Sequence, residues 1–161
     1  MYSFIVNPNA SGGRGERIWR RLEKQLKHLG VPYEAFVTEK TGDARRLACD
    51  LTEHQREPRI LIAVGGDGTV SEVLDGISFC GPVTLGYIPT GSGNDLARSL
   101  RLPKSPSRCL KKILNPKYHK LLDYGVLSYG DHLTHRRFMV STGIGMDAMV
   151  CQDILHSKTK R

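Results

Sequence analysis

The stretch that most constrains the fold is residues 60–69, which reads Ile-Leu-Ile-Ala-Val-Gly-Gly-Asp-Gly-Thr. Its five leading residues are apolar and mostly β-branched, which predicts a strand buried on both faces, as in a parallel sheet between helix layers. Apolar residues then recur at i, i+3, i+4 and i+7 from Val70 to Ile77, which predicts an amphipathic helix. The chain is therefore expected to run from a strand through a glycine turn into a helix.

The turn itself, made of Gly65, Gly66, Asp67, Gly68 and Thr69, predicts a phosphate site. Glycines let a backbone approach a ligand closely, and the free N–H groups of a first helical turn attract anions. This is not a Walker A loop, because the chain has no lysine between residues 59 and 104. Acidic side chains beside a phosphate require a divalent cation or a hydroxyl donor between them. The alternative is a tight turn without a ligand.

Strand and helix patterns alternate on both sides of this turn. Strands are predicted at residues 2–6, 33–38, 60–64 and 83–88, with helices at residues 15–29 and 44–51 before the glycine turn. The βαβαβ order predicts a parallel sheet with helices on its faces, which binds ligands beyond the carboxyl ends of its strands. A second glycine turn, residues 89–95, follows the fourth strand. The two glycine turns are expected to meet at one edge of the sheet.

The alternation of strand and helix patterns stops after Tyr118. Residues 121–127 and 137–141 are predicted to form a hairpin in a separate, antiparallel layer. Residues 143–148 match G-x-G-x-x-A, but only thirteen residues follow, too few for a dinucleotide-binding unit. A hairpin and one helix cannot close a second core, so we expect a chain cut short. The expected organisation is a three-layer, Rossmann-like α/β domain at residues 1–124 and the start of an antiparallel β-sandwich domain at residues 125–161.

Length and composition favour a soluble protein with at most one complete domain, since the chain has 161 residues, of which 39% are hydrophobic and 25% charged. The four cysteines lie far apart with no C-x-x-C pair, which predicts reduced, buried thiols. The longest apolar runs are too short for a signal peptide or a membrane span, so a cytoplasmic location is expected.

The net charge of +8 is concentrated in one segment, residues 98–120, which carries eight cations and no carboxylate. Those cations are Arg98, Arg101, Lys104, Arg108, Lys111, Lys112, Lys117 and Lys120. Such a segment favours peripheral association with an anionic membrane, at the inner surface for a cytoplasmic protein. The alternative is a solvated helix face.

Several motifs together resemble the diacylglycerol kinase catalytic domain, and more closely the bacterial soluble lipid kinases of the diacylglycerol and sphingosine kinase-like group. The motifs agree in order and spacing and span nearly the whole chain. They are Asn7-Pro8 with Ser11-Gly12, Thr38-Glu39, Gly65-Gly66-Asp67-Gly68-Thr69 with Glu72, Gly91-Ser92-Gly93-Asn94-Asp95 and Asp123-Tyr124-Gly125. The G-G-D-G-T element alone is shared with NAD kinases and similar to phosphofructokinases, which gives the expected NAD kinase/phosphofructokinase-like fold.

The resemblance implies an ATP-dependent lipid kinase of phospholipid metabolism that transfers the γ-phosphate to a lipid hydroxyl, with ATP and Mg²⁺ as cofactors. The implied cofactor-binding residues are Asn7, Pro8, Ser11, Gly12, Thr38, Gly65, Gly66, Asp67, Gly68, Thr69, Glu72, Ser92, Asn94 and Asp95. Asp67 would position phosphates and meet the nucleotide-bound magnesium. Phosphoryl transfer asks mainly for positioning and charge stabilisation, which these groups supply.

The sequence departs from the family at Ser71 and Asp75, where relatives frequently have asparagine. The resemblance also implies that the general base lies in the second domain, beyond residue 161, so weak nucleotide binding and no turnover are expected of this chain. A homodimer is possible, and no nucleic-acid partner is expected. Two other functions stay open: an NAD kinase-like small-molecule kinase, and a non-catalytic module that binds nucleotide or an anionic membrane.

Overall fold

The protein is described here from a computed structural model that covers residues 1–130, 134–141, 146, 148 and 149. Four parallel strands form its central sheet: β1 (Tyr2–Val6), β2 (Tyr33–Val37), β3 (Arg59–Gly65) and β4 (Val83–Pro89). Their order in space is β2-β1-β3-β4. The predicted parallel sheet is confirmed.

Between residues 10 and 114, five helices connect and follow these strands. They are α1 (Ala10–His28), α2 (Asp43–Thr52), α3 (Asp67–Gly76), α4 (Asp95–Ser99) and α5 (Pro106–Leu114). The start of α1 is kinked, because Ser11, Gly12 and Gly13 have φ values of 51°, 67° and 89°. Regular helix therefore begins at Arg14, one residue before the predicted start.

The helices cover both faces of the sheet, as the run of apolar residues in β3 predicted. Leu61 and Ala63 face a core shared with α2, α3 and α4, whereas Ile62 and Val64 face a core shared with α1 and α5. Trp19 of α1 is buried in the second core, with its ring centroid 5.3 Å from that of Phe4. The result is a three-layer α/β fold whose strands are buried between two helix layers.

An antiparallel hairpin follows, formed by β5 (Gly125–Tyr129) and β6 (Thr134–Phe138). A hairpin was predicted, but its strand bounds were wrong: strand structure begins four residues later than predicted in β5 and three residues earlier in β6. Leu121, which the prediction placed in a strand, is fully exposed. The pairing of Tyr129 with Thr134 next to the turn sets the register, and apolar character alone did not reveal it.

Charged side chains attach this hairpin to α3. The carboxylate of Asp75 accepts hydrogen bonds from Arg136 Nη1 at 2.6 Å and from the Arg137 backbone N–H at 3.0 Å, and Arg45 Nε of α2 lies 2.9 Å from it. The Arg137 guanidinium donates to the carbonyl oxygens of Leu74, Asp75 and Ile77 at the end of α3. We call Arg45, Asp75, Arg136 and Arg137 the hairpin clamp.

The cysteine prediction is only partly right. Cys109 is buried, but Cys49 is half-buried and Cys80 is exposed, and these three thiols are free. Burial raises the pKa of the Cys109 thiol to about 11, so this side chain stays protonated at neutral pH. Cys151 and most of residues 143–148 lie outside the described residues. No helix in the described part of the chain combines the length and apolar character needed to cross a membrane.

Candidate functional site

The candidate site lies where β1, β3 and β4 end. The chain moves from β1 to β2 on one side and returns to β3 on the other, so the strand order reverses between β1 and β3. Open α/β sheets bind ligands at such a switch point, beyond the carboxyl ends of the strands. The loops after these strands, residues 7–13, 65–69 and 89–95, meet there. We call them the glycine rim.

The first loop of the rim is tied to the second by side-chain and backbone hydrogen bonds. The Asn7 backbone N–H donates to Val64 O at 2.9 Å, and Asn7 Nδ2 donates to Thr69 Oγ1 at 3.0 Å. The amide oxygen of the same side chain, Asn7 Oδ1, accepts a hydrogen bond from the Asn9 backbone N–H at 3.0 Å. Asn7 therefore fixes the shape of its own loop and its position against α3 at the same time.

The second loop places Asp67 at the start of α3. The strand ends at Gly65, Gly66 is extended, and the helix begins at Asp67. The order of strand, turn and helix is as predicted, but the helix begins three residues before Val70, where the apolar periodicity placed it. Asp67 Oδ1 accepts a hydrogen bond from the backbone N–H of Leu96 in α4 at 3.2 Å, whereas Oδ2 accepts none from the described residues. Gly68 is exposed, and a Cβ added there would meet nothing within 4 Å. The first turn of α3 is therefore open to solvent at Gly68.

The backbone of the third loop contacts the backbone of the second loop. The Thr90 N–H donates to Gly65 O at 2.7 Å, and a Cβ at Gly91 would lie 2.5 Å from the Cα of Gly66. Only glycine allows this approach without moving the backbone. Asn94, at φ 54°, closes the loop: its Oδ1 accepts from the Gly91 N–H at 3.0 Å and its Nδ2 donates to Gly91 O at 2.7 Å.

The loop after β2 lies beside the rim and is held there by Thr38, which bonds to the end of β1, and by Glu72 of α3. The buried Thr38 donates through its backbone N–H and its hydroxyl to Val6 O, at 2.9 and 3.3 Å. Glu72 of α3 accepts from the Gly42 N–H at 3.1 Å. Asp43 accepts from the N–H groups of Lys40 and Glu39, each at 2.9 Å, and these two bonds hold the pKa of its carboxyl below its usual value.

A cavity of about 300 Å³ opens beside the rim, between α3, α4 and the end of β6. Two carboxylates, Asp67 and Asp95, line it together with Ser71, and most of the remaining lining residues are apolar. Among the residues that the structure describes, the lining contains no Lys or Arg. Burial, and then the charges of Asp67 and Asp95, raise the pKa of the nearby Tyr87 hydroxyl. The cavity is thus negatively charged on the rim side and apolar elsewhere.

The site residues predicted from the sequence fall into two groups. Most of them share the rim: Asn7, Pro8, Ser11, Gly12, Gly65, Gly66, Asp67, Gly68, Thr69, Ser92, Asn94 and Asp95. Thr38 and Glu72 instead hold the neighbouring loop. Ser92 is exposed, and Asp95 is paired with Arg98. The described residues contain no group of three His, Cys, Asp or Glu side chains that could hold a metal by themselves.

Sequence reasoning missed Thr90 as a site residue. Thr90 is 5% exposed, its carbonyl oxygen accepts from Ser11 Oγ at 2.9 Å, and its own hydroxyl has no hydrogen-bond partner among the described residues. A buried hydroxyl without a partner costs free energy unless water or a ligand satisfies it. The sequence could have indicated Thr90 as a site residue through its position inside the second glycine turn, residues 89–95.

Comparison with known proteins places this arrangement in a family. Residues 1–125 match the family described as "Diacylglycerol kinase catalytic domain". The chain is 31% identical over 160 residues to the Bacillus subtilis (strain 168) protein named "Putative lipid kinase YtlR", covering 98% of this chain and 52% of that protein. It is 38% identical over 100 residues to a diacylglycerol kinase of Staphylococcus saprophyticus, covering 62% of this chain and 32% of that protein.

A solved structure agrees with the sequence comparisons. The crystal structure of a diacylglycerol kinase from Bacillus anthracis str. Sterne superposes with a TM-score of 0.58 at 28% identity, covering 70% of this chain and 40% of that one. The chain therefore spans about half the length of YtlR and a smaller share of the other two proteins. The parallel sheet agrees with these matches, and the chain belongs to the diacylglycerol kinase catalytic domain family.

Proposed function

We propose that the chain is the nucleotide-binding part of an ATP-dependent lipid kinase, which transfers the γ-phosphate of ATP to a diacylglycerol-like hydroxyl. The observation that carries this proposal is the glycine rim, with open backbone at Gly68 beside the carboxylate of Asp67. Backbone N–H groups at the start of α3 suit phosphate oxygens, and the family relatives named above are lipid and diacylglycerol kinases.

The residues of the rim fit a magnesium-bound nucleotide. Two carboxylates line a cavity whose described lining residues include no cationic side chain, so a phosphate there needs a divalent ion to offset the repulsion. Asp67 Oδ2, which accepts no hydrogen bond from the described residues, would contact the ion directly or through water, and phosphates and water would complete its coordination. When bound, magnesium would neutralise charge on the phosphates during transfer.

The other rim residues would position the nucleotide. The loop that contains Asn7, Ser11 and Gly12 would lie along the phosphates, and Thr38 would meet the nucleotide from the side of β2. We include Thr90 among the binding residues, because a phosphate oxygen or ordered water would satisfy its buried hydroxyl. The apolar part of the cavity would receive the acceptor next to Asp67.

Calorimetric titration of Mg-ATP tests the proposed nucleotide site. Wild-type protein is expected to bind, and Asp67→Ala is expected to lose binding at least tenfold, because the ion loses its protein ligand. The matched control is Asp50→Ala, which removes an exposed aspartate paired with Arg46 on α2. Equal binding by wild type and Asp67→Ala would contradict the assignment of the phosphate site.

Phosphate transfer from ATP to dispersed diacylglycerol, with NAD as the competing acceptor, tests the substrate class in a protein that extends this chain to the length of YtlR, because no turnover is expected of the 161 residues alone. Transfer to NAD but not to the lipid would favour the NAD kinase-like function instead. Three expectations stay predictions: absence of turnover in the 161-residue chain alone, a homodimer, and peripheral association with the inner membrane surface through the cations between Arg98 and Lys120.

A further inference from the structure

Strand β2 forms one edge of the sheet, and one of its two sides is free. Among the strands that the structure describes, β2 pairs with β1 alone. The N–H of Thr38, directly after β2, donates to Val6 O of β1. Successive residues of a strand direct their N–H and C=O groups to alternate sides. The backbone groups of Tyr33, Ala35 and Val37 therefore point away from β1, toward the free edge.

This free edge lacks the features by which proteins usually prevent two edges from pairing. Such edges carry lysine, proline or a bulge, or are covered by another element. The sequence of β2 contains no lysine, arginine or proline. Ala35 is exposed, and Val37 is 53% exposed to solvent. An open, apolar edge of this kind is a template for a further strand.

A second copy of β2 matches this edge residue by residue. When two copies pair antiparallel about a two-fold axis at Ala35, each Ala35 faces the same residue of the second copy, and Tyr33 faces Val37. Each of these pairs exchanges two hydrogen bonds, so every outward N–H and C=O group of the strand gains a partner. Glu34, the charged residue of β2, faces Phe36, so no like charges lie opposite each other.

Helix α1 lies beside the same edge and carries alternating charges there. Glu16, Arg20, Glu23 and Lys27 form a stripe at i, i+4, i+7 and i+11, which we call the charged stripe. Its ion pairs measure 2.6 Å (Arg20 to Glu16) and 3.3 Å (Lys27 to Glu23). The Tyr33 hydroxyl of β2 donates to Glu23 Oε1 at 3.0 Å. The charged stripe therefore faces the side of the molecule on which β2 is free.

The order of charges along this stripe is complementary to itself. The two-fold axis that pairs the strands brings the two copies of α1 side by side and antiparallel. Glu16 then meets Lys27 of the second copy, and Arg20 meets Glu23, so every contact joins opposite charges. The opposite side of α1 has no such property, because it presents only basic residues: Arg14, Arg17, Arg21, Lys24 and His28.

The strand and the stripe share one level in the structure. Phe4 of β1 is in register with Ala35 of β2. The ring centroid of Trp19 in α1 lies 5.3 Å from that of Phe4 and 6.2 Å from that of Tyr33. The part of α1 between Trp19 and Glu23, which contains the middle of the charged stripe, therefore lies level with Ala35. One axis serves both the strands and the helices.

We propose that a second copy of this chain binds along β2 and the charged stripe, so that two sheets join into one across a two-fold axis. The inference goes beyond the proposed function and does not depend on the nucleotide site. It gives a surface to the homodimer that the sequence left open. The axis is perpendicular to the sheet, so α3 and the cavity beside the rim lie on the same side of the joined sheet in both copies.

Sedimentation equilibrium of the 161-residue chain tests the charged stripe. Wild type is expected to dimerise. Arg20→Glu turns both symmetry-related contacts with Glu23 from attraction into repulsion, and at about fivefold for each contact the dimer should weaken about 30-fold. The matched control, Arg21→Glu, makes the same charge change on the opposite side of α1. It should dimerise within about threefold of wild type.

Ala35→Pro tests the strand pairing. The N–H of Ala35 points away from β1, so proline removes no hydrogen bond of the single copy, and edge strands accept proline at such positions. The dimer loses both central hydrogen bonds and should weaken about 100-fold, because two carbonyl groups at the axis lose their donors. Circular dichroism melts check that all variants fold. If the proline variant does not fold, Ala35→Lys, which places two like charges at the axis, takes its place.

Three results would overturn the proposed dimer. They are a wild type that stays monomeric at about 100 μM, which would leave the edge to a strand of another protein, an equal loss in Arg20→Glu and Arg21→Glu, and a dimer that the change at Ala35 does not weaken. Mg-ATP titration keeps the two proposals apart. Dimerisation without Mg-ATP binding would support the β2 interface and contradict the nucleotide site, whereas Mg-ATP binding by a monomeric wild type would do the reverse.

Discussion

The glycine rim is assembled mainly from backbone atoms, whereas the hairpin clamp at the far end of the same helix is assembled from charged side chains. At the start of α3, Gly66 and Gly91 touch without side chains between them, and Gly68 is exposed to solvent. At its end, the side chain of Asp75 is 7% exposed. Its carboxylate contacts the side chains of Arg45 and Arg136 and the backbone N–H of Arg137. A ligand site needs room and free donors, whereas an attachment needs its charged groups held by ion pairs or hydrogen bonds.

The two regions therefore differ in what can be substituted. Removing a hydrogen-bonding side chain from the rim costs little as long as the backbone keeps its path. Adding a single carbon where two loops touch costs much more, because backbone cannot rotate away as a side chain can. The clamp has the opposite sensitivity, since its energy resides in charge and hydrogen bonds rather than in shape.

The largest effect is expected from Gly91→Ala. The new Cβ would lie 2.5 Å from Gly66 Cα, so the two loops must separate, and the free energy of unfolding should fall by about 3 kcal/mol. Chemical denaturation measures this loss. The control is Gly68→Ala, whose Cβ meets nothing within 4 Å, and it should change stability by less than about 1 kcal/mol while weakening Mg-ATP binding. Equal stability of the two variants would contradict the backbone contact.

Asp75→Asn should have the next largest effect. The amide keeps a hydrogen-bond acceptor for the Arg137 N–H but loses the negative charge that faces Arg45 and Arg136, so stability should fall by about 2 kcal/mol. Denaturation by urea measures the change. Asp50→Asn, which breaks only the exposed pair with Arg46, should cost less than about 0.5 kcal/mol. A loss no larger for Asp75→Asn than for this control would show that the clamp contributes little.

A fall in pH should remove the stability that the charged Asp75 carboxylate contributes to the wild type. Burial raises the pKa of the Asp75 carboxyl, but the hydrogen bonds from Arg136 and Arg137 and the charge of Arg45 outweigh burial and hold it below its usual value. A lowered pKa gives stability that is complete above the ordinary carboxyl pKa of about 4 and is lost as the pH falls through the folded-state pKa.

The difference in stability between wild type and Asp75→Asn should therefore shrink as the pH falls from about 5 to about 2. Denaturant titrations at several pH values measure it. The pKa of Asp43 is lowered too, but this carboxyl is present in both proteins and cancels in the difference. A difference that does not depend on pH would mean that charge is not what holds the clamp together.

The smallest effect is expected from Asn7→Ala in the rim. The substitution removes the 3.0 Å hydrogen bond to Thr69 Oγ1 and the one that Asn7 accepts from Asn9, at a cost of about 1 kcal/mol. Thr69→Val removes only the first of these bonds. A double-mutant cycle on the free energy of unfolding tests this contact. If the losses of the two single variants simply add in the double variant, the Asn7 side chain does not join the two loops.

The sequence by itself determined the α/β layers and most of the rim. Strand, glycine turn and helix follow one another locally from residue 60 to residue 77, and their periodicities do not depend on distant parts of the chain. Parallel strands end at one edge, so the glycine turns after β3 and β4 had to meet. The family motifs added Asn7 and Thr38 at positions that the structure places beside that edge.

Only the tertiary structure decided which residues act across long separations in the chain. The attachment of the hairpin to α3, the burial of Asp75, and the Thr90 hydroxyl without a partner among the described residues depend on contacts between residues far apart in sequence. The packing of α1 against α5 is also of this kind, because the sequence of one helix does not show which other helix it contacts. Local patterns fix how a segment folds, whereas the pairing of charges and the filling of cavities depend on which segments pack together.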